Sequence, residues 1–154
     1  DPENELAKDF YSQCFSVWRY ENPPGPQGDV ISEGAAVGAA RDAVAGRLGL
    51  GGQEVVSEAS SDGGQRVLFV GFLSSFDPNT QPSEFANQLN QAMFAAVDAF
   101  VRADSAPTYL VVQAFTFVNG EPVMAGSRSV HRVDAVDWWN GNMSDGAFIG
   151  KWQS

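Results

Sequence analysis

Two stretches of this chain, 65–74 and 107–118, are apolar at both odd and even positions. In the first, Val67 and Phe69 alternate with Leu68, Val70 and Phe72. Side chains along a strand point alternately to its two faces, so a strand that is apolar throughout needs cover on both sides. Whatever sheet these strands build, it requires a layer above and a layer below.

Each stretch belongs to a hairpin. A strand over 53–59 leads into the first through Ser60-Ser61-Asp62-Gly63-Gly64, and Asn119-Gly120 joins the second to a partner over 121–133. That partner carries Ser127, Arg128, Ser129, His131 and Arg132, a polar content that predicts a half-exposed position. Between the hairpins, Asp77-Pro78-Asn79-Thr80-Gln81-Pro82 forms a loop and Ser83 is placed to cap a helix to about Ala103. Phe85, Leu89, Met93, Val97 and Phe100 make its core stripe. An earlier helix is predicted from about Ser32 to Leu48, with Val37, Ala40, Val44 and Leu48 facing inward and Gly49, Gly51 and Gly52 ending it. Gly34, Gly38 and many alanines thin its surface, which predicts close approach to another backbone.

Upstream, Leu6, Phe10, Cys14 and Val17 or Trp18 recur at helical spacing within 3–20, and ENPPGPQG at 21–28 forms a rigid connector. Downstream of Ala135 the pattern gives two short helices. The first ends at Trp138-Trp139, and Ser144 caps a second that holds Phe148 and Trp152 four residues apart.

The expected fold is α+β: a single domain over 1–154, with an N-terminal helix (1–20), the connector (21–28), an α+β core (29–133) and a Trp-rich tail (134–154). Its core pattern, helix–hairpin–helix–hairpin, fits a four-stranded antiparallel sheet with both long helices on one face. The strand order of a circularly permuted ferredoxin-like sheet satisfies that pattern. The second layer falls to the N-terminal helix and the tail, and after them to a partner subunit.

Charge narrows the function. Nineteen acidic side chains face nine basic ones, only Lys8 and Lys151 are lysines, and the formal net charge is −10. Such a surface disfavours nucleic acid and anionic membrane as partners, and suits either a halophilic setting or an acidic secreted protein. The chain has no apolar run long enough to span a membrane, and it begins Asp1-Pro2 without methionine. We read that start as a signal or anchor segment removed or as trimming, and expect an extracytoplasmic or cell-surface location with the cytoplasm left open. Asn142-Met143-Ser144 is a loose glycosylation sequon.

Few residues point to chemistry. His131, the single histidine, would need a carboxylate such as Asp134 or Asp137 and a nucleophile such as Ser127 or Ser129 to act as a general base. Cys14, the single cysteine, lies on an apolar stripe, where an inert buried thiol is expected. Asp77, Asn79 and Glu84, and Asn140, Asn142 and Asp145, read as turn and cap residues, and no metal or cofactor is predicted. Arg128 and Arg132 are candidates to grip an anion. Trp18, Trp138, Trp139, Phe148 and Trp152 form the candidate interface, because aromatics supply large contact area with a polar handle.

The expected function is non-enzymatic: a domain acting through contacts with a protein partner or through self-association, as a subunit of an assembly. An alternative is a module that binds a small molecule or lipid between sheet and helices, with phenylalanines 69, 72, 94, 115 and 117 lining its pocket. A third is a small hydrolase built on His131.

Overall fold

A computed structural model describes residues 30–62, 64–104 and 107–154. The expected N-terminal helix, most of the connector, Cys14 and Trp18 lie outside the described residues. The chain is α+β. In order it forms α1 (Glu33–Leu48), a 3₁₀ turn, β1 (Val55–Asp62), β2 (Gln65–Leu73), α2 (Pro82–Arg102), β3 (Tyr109–Val118), β4 (Glu121–His131), α3 (Arg132–Trp139) and α4 (Asp145–Ile149).

Local signals set most of the boundaries. Ser32 caps α1 by accepting the Ala35 N–H at 3.2 Å, and Gly49 ends it at φ 70°. Asn119 (φ 54°) and Gly120 (φ 82°) supply the left-handed pair that the β3–β4 turn requires. The cap of α2 is different: the helix begins at Pro82, with Gln81 and not Ser83 before it, and Gln81 makes no side-chain bond. Proline suits a first helical position because its missing N–H has no helical partner there.

The sheet order is β1-β2-β3-β4. Both hairpins are antiparallel, but the central pair β2–β3 is parallel, with Leu68 beside Leu110 and Val70 beside Val112. This corrects the all-antiparallel expectation and the permuted ferredoxin-like order, which would seat β4 next to β2. The reason lies in polarity. Residues apolar on both faces put β3 at the centre, and the Ser/Arg/His content of β4 leaves that strand at the edge. Helix α2 completes the crossover. Its 21 residues span about 31 Å, close to the length of a strand. It therefore returns the chain to the end where β2 began, and β3 must run parallel to β2.

Helices α1 and α2 lie side by side on one face, α1 over β1 and β2, α2 over β3 and β4. Leu68, Val70, Leu110, Val112, Leu89, Met93 and Val97 are fully buried between them. The close approach of α1 is made by Ala36, Ala40 and Val44, whereas Gly34 and Gly38 face open space. The tight fit comes at Gly126 of β4 instead, where an added Cβ would sit 2.8 Å from the Phe85 ring and 3.2 Å from Leu89.

Candidate functional site

The other face of the sheet has no covering helix among the described residues. By strand alternation it presents Val67, Phe69 and Leu73 from β2, and Tyr109, Val111, Gln113, Phe115 and Phe117 from β3. Met124, Ser127, Ser129 and His131 face the same way from β4. The rings of Phe69 and Phe115 converge over Gly71, where a Cβ would meet each at 3.1 Å.

Toward the β3–β4 turn this face runs out past the helices. Phe117, Val118, Val123 and Met124 are 44–61% exposed, and they are four of the seven exposed large hydrophobic residues among the described ones. Scattered surface apolar residues are ordinary, but this hairpin tip is apolar on both sides: Phe117 and Met124 form a patch on the open face, and Val118 and Val123 point to the opposite side. Beside them, at the carboxyl ends of the parallel strands, an open depression of about 350 Å³ is lined by Leu73–Asn79 and Phe115–Val118.

The loop that walls this depression is fixed in place. Gln88, only 7% exposed on α2, accepts the Ser74 hydroxyl at 2.7 Å and the Ser75 N–H at 3.2 Å. The Ser74 hydroxyl in turn accepts the Phe76 N–H at 3.1 Å. Asp77 accepts the Asn79 N–H at 2.8 Å, a turn-forming bond of the kind its sequence context predicts. These bonds anchor Phe76 at the rim of the depression, and a preformed cleft of this sort suits an anchoring side chain from a partner.

The sequence-predicted residues fall in other places. Trp138, Phe148 and Trp152 gather around Phe94 of α2. Trp138 stacks on Phe148 at 4.8 Å, and Trp152 meets Phe94 edge-on at 5.1 Å. Phe148 is fully buried, Trp138 donates its indole N–H to Asp145 at 2.8 Å, and Trp139 packs partly buried against the core. The tail therefore covers the flank of α2 and leaves the open sheet face untouched. Its end reaches the outer edge of β4, where Ser129 and Gln153 exchange backbone hydrogen bonds of 2.8 Å.

Arg132 starts α3 and acts as a clamp. Its guanidinium donates to the Phe100 and Val101 carbonyls at 2.9 and 2.8 Å, closing the end of α2, and lies over the Phe100 ring. Burial holds it below its ordinary pKa. Arg128 donates to the Ser127 carbonyl next to it. His131 caps α3 by accepting the Val133 N–H on Nδ1 at 3.0 Å, with its ring edge-on to Tyr109. Among the described residues no serine or carboxylate is hydrogen-bonded to it. The phenylalanines weighed as a pocket lining are divided: Phe69, Phe115 and Phe117 on the open face, Phe72 under the helices, and Phe94 in the tail cluster. No cluster of three or more metal-ligating side chains occurs among the described residues, and no described helix is long and apolar enough to cross a membrane.

Sequence reasoning missed the hairpin patch. Its signal was present: Phe117 and Val118 precede Asn119-Gly120, and Val123 and Met124 follow soon after. Apolar residues flanking a turn on both strands have nothing beyond the turn to bury them. No protein-family model, curated protein or solved structure matches this chain.

Proposed function

We propose that this chain is a non-enzymatic domain that acts through protein contacts, as a subunit of an assembly in an extracytoplasmic or cell-surface setting. The observation that carries the reading is the apolar end of the β3–β4 hairpin, with Phe117 61% and Met124 49% exposed beside a preformed depression. Exposed apolar area of this kind is costly in water unless a partner removes it. The net charge of −10 favours solubility of the free chain and biases the choice of partner.

Light scattering on a sizing column tests this, run on the full chain at low and multimolar salt and at several concentrations. A defined oligomer that falls to monomer mass in Phe117→Asp supports the reading. A monomer under every condition removes self-association and leaves a different partner or a ligand. A ligand-binding role is the second reading, and the depression lined by Phe76, Phe115 and Phe117 is the observation that favours it.

A further inference from the structure

The depression beside the hairpin end is not apolar throughout. Asp77 lines it together with Phe76, Phe115 and Phe117, and no lysine, arginine or histidine is among its lining residues. The Asp77 side chain is exposed, and one of its oxygens accepts the Asn79 N–H at 2.8 Å. No basic side chain among the described residues pairs with it. Glu121 stands opposite Val118 at the same end of the sheet and adds a second carboxylate to the surroundings. Arg47 lines a separate depression that shares Phe76, and there it donates to Gln91 at 3.0 Å.

A carboxylate without a cation, set among phenylalanine rings, calls for a particular kind of visitor. We propose that this depression takes an arginine side chain of a partner protein, its guanidinium against the Asp77 carboxylate and stacked on the rings around it. This rests on reading the depression as a contact site, and it names the chemistry of what enters.

Three observations support this occupant. The first is charge. An apolar anchor seated here would strip water from Asp77 and give it no partner, which is costly, whereas a cation supplies one. The second is the aromatic lining. Ring faces carry the negative end of a quadrupole, and a planar guanidinium can lie on a ring while its N–H groups reach a carboxylate. An ammonium is more strongly hydrated and cannot stack in this way. The third is preorganisation. Gln88 holds Ser74 and Ser75, Ser74 holds the Phe76 N–H, and the Asp77 carbonyl accepts the Gln81 N–H at 2.7 Å. The loop that carries the ring and the carboxylate is therefore fixed before anything binds, which lowers the cost of binding. Its volume of about 350 Å³ lies at the lower end of the range for ligand pockets, roughly 300–1,000 Å³, and suits one side chain. A second copy of the chain would bring nineteen acidic side chains with its nine basic ones. The arginine is therefore assigned to a partner with a basic surface.

Titration of the full chain with N-acetyl-arginine methylamide, followed by backbone amide NMR, tests this. The probe is expected to bind with a dissociation constant on the order of a millimolar, as suits a fragment of its size, and to shift the amides of 73–79 and 115–118. The citrulline analogue, matched in shape and uncharged, is expected to bind about tenfold more weakly. Asp77→Asn keeps an oxygen for the Asn79 N–H and is expected to lose about tenfold for the arginine probe. Phe117→Leu keeps apolar bulk without the ring and is expected to lose about two- to fivefold. Amides of this region that stay unmoved at roughly 50 mM probe would overturn the proposal. So would equal binding of the citrulline or lysine analogue, or full affinity in Asp77→Asn. An oligomer on the sizing column is expected to survive Asp77→Asn, and its loss there would overturn the proposal by seating a second copy in the depression. An oligomer that Phe117→Asp breaks, in a chain that does not bind the probe, would remove the arginine and leave the protein-contact reading standing. A chain that binds the probe as expected and stays monomeric would uphold the arginine and remove self-association.

Discussion

The two faces of one sheet differ more than any two elements of this molecule. On the helix side, Leu68, Val70, Leu110 and Val112 lose all contact with water, and Gly126 lets Phe85 and Leu89 press onto the backbone of β4. On the other side, residues equally apolar and one position away keep partial contact with solvent, and the nearest atoms to Gly71 are those of two phenylalanine rings. The strands cannot distinguish the two sides by composition. What distinguishes them is the supply of cover, since α1 and α2 both pack on the same side. An apolar face left over in this way is a surface with an occupant still to be assigned, and function is most economically sought there.

Urea unfolding of matched variants gives the largest test. Val112→Ala is expected to cost about 2–3 kcal/mol, the transfer of two methyl groups plus the cavity left behind. Val111→Ala is expected to cost only about 1–2 kcal/mol, because Val111 is less completely buried. Equal costs at the two valines would mean that the open face is as well covered as the other.

Next comes the clamp on the helix side. Arg132→Met removes two charge-assisted bonds to the end of α2 and is expected to cost about 2 kcal/mol, read as a lower urea midpoint. The glycine pair follows. Gly126→Ala is expected to cost about 1–2 kcal/mol, because the Phe85 ring has no room to retreat between helix and strand. Gly71→Ala is expected to stay within about 0.5 kcal/mol, since the rings of Phe69 and Phe115 can give way outward. Equal costs at the two glycines would mean that the open face is as tightly closed as the other. Smallest in stability is the hairpin end, where Phe117→Asp and Met124→Asp are expected to shift unfolding by less than about 0.5 kcal/mol. Their readout is molar mass on the sizing column, where the oligomer is expected to be lost.

Much of this fold was legible residue by residue. The stripe Phe85, Leu89, Met93, Val97 and Phe100 is the buried side of α2, Asn119-Gly120 makes its turn, and Ser144 caps α4 as its spacing implied. The polar content of β4 predicted a half-exposed strand, which the edge position satisfies and the central place given it by the permuted ferredoxin-like order does not. The candidate site was less legible. Trp138, Phe148 and Trp152 carried the strongest aromatic signal, but they meet Phe94 from a helix more than forty residues earlier, a contact that no local pattern encodes. The hairpin patch carried a weaker signal, because whether Phe117 is buried depends on what covers the sheet face opposite α2, which no local pattern encodes.

The sequence by itself determined the α+β elements, their turns and most of their caps, and the need of two strands for cover on both sides. These follow from interactions among residues a few positions apart, where side-chain period and backbone preference act directly. Only the tertiary structure decided that β3 lies parallel beside β2, that the tail covers α2, and that Arg132 closes a helix end. Each of these depends on which distant surfaces meet, and that choice is made by burying the most apolar area over the whole chain at once.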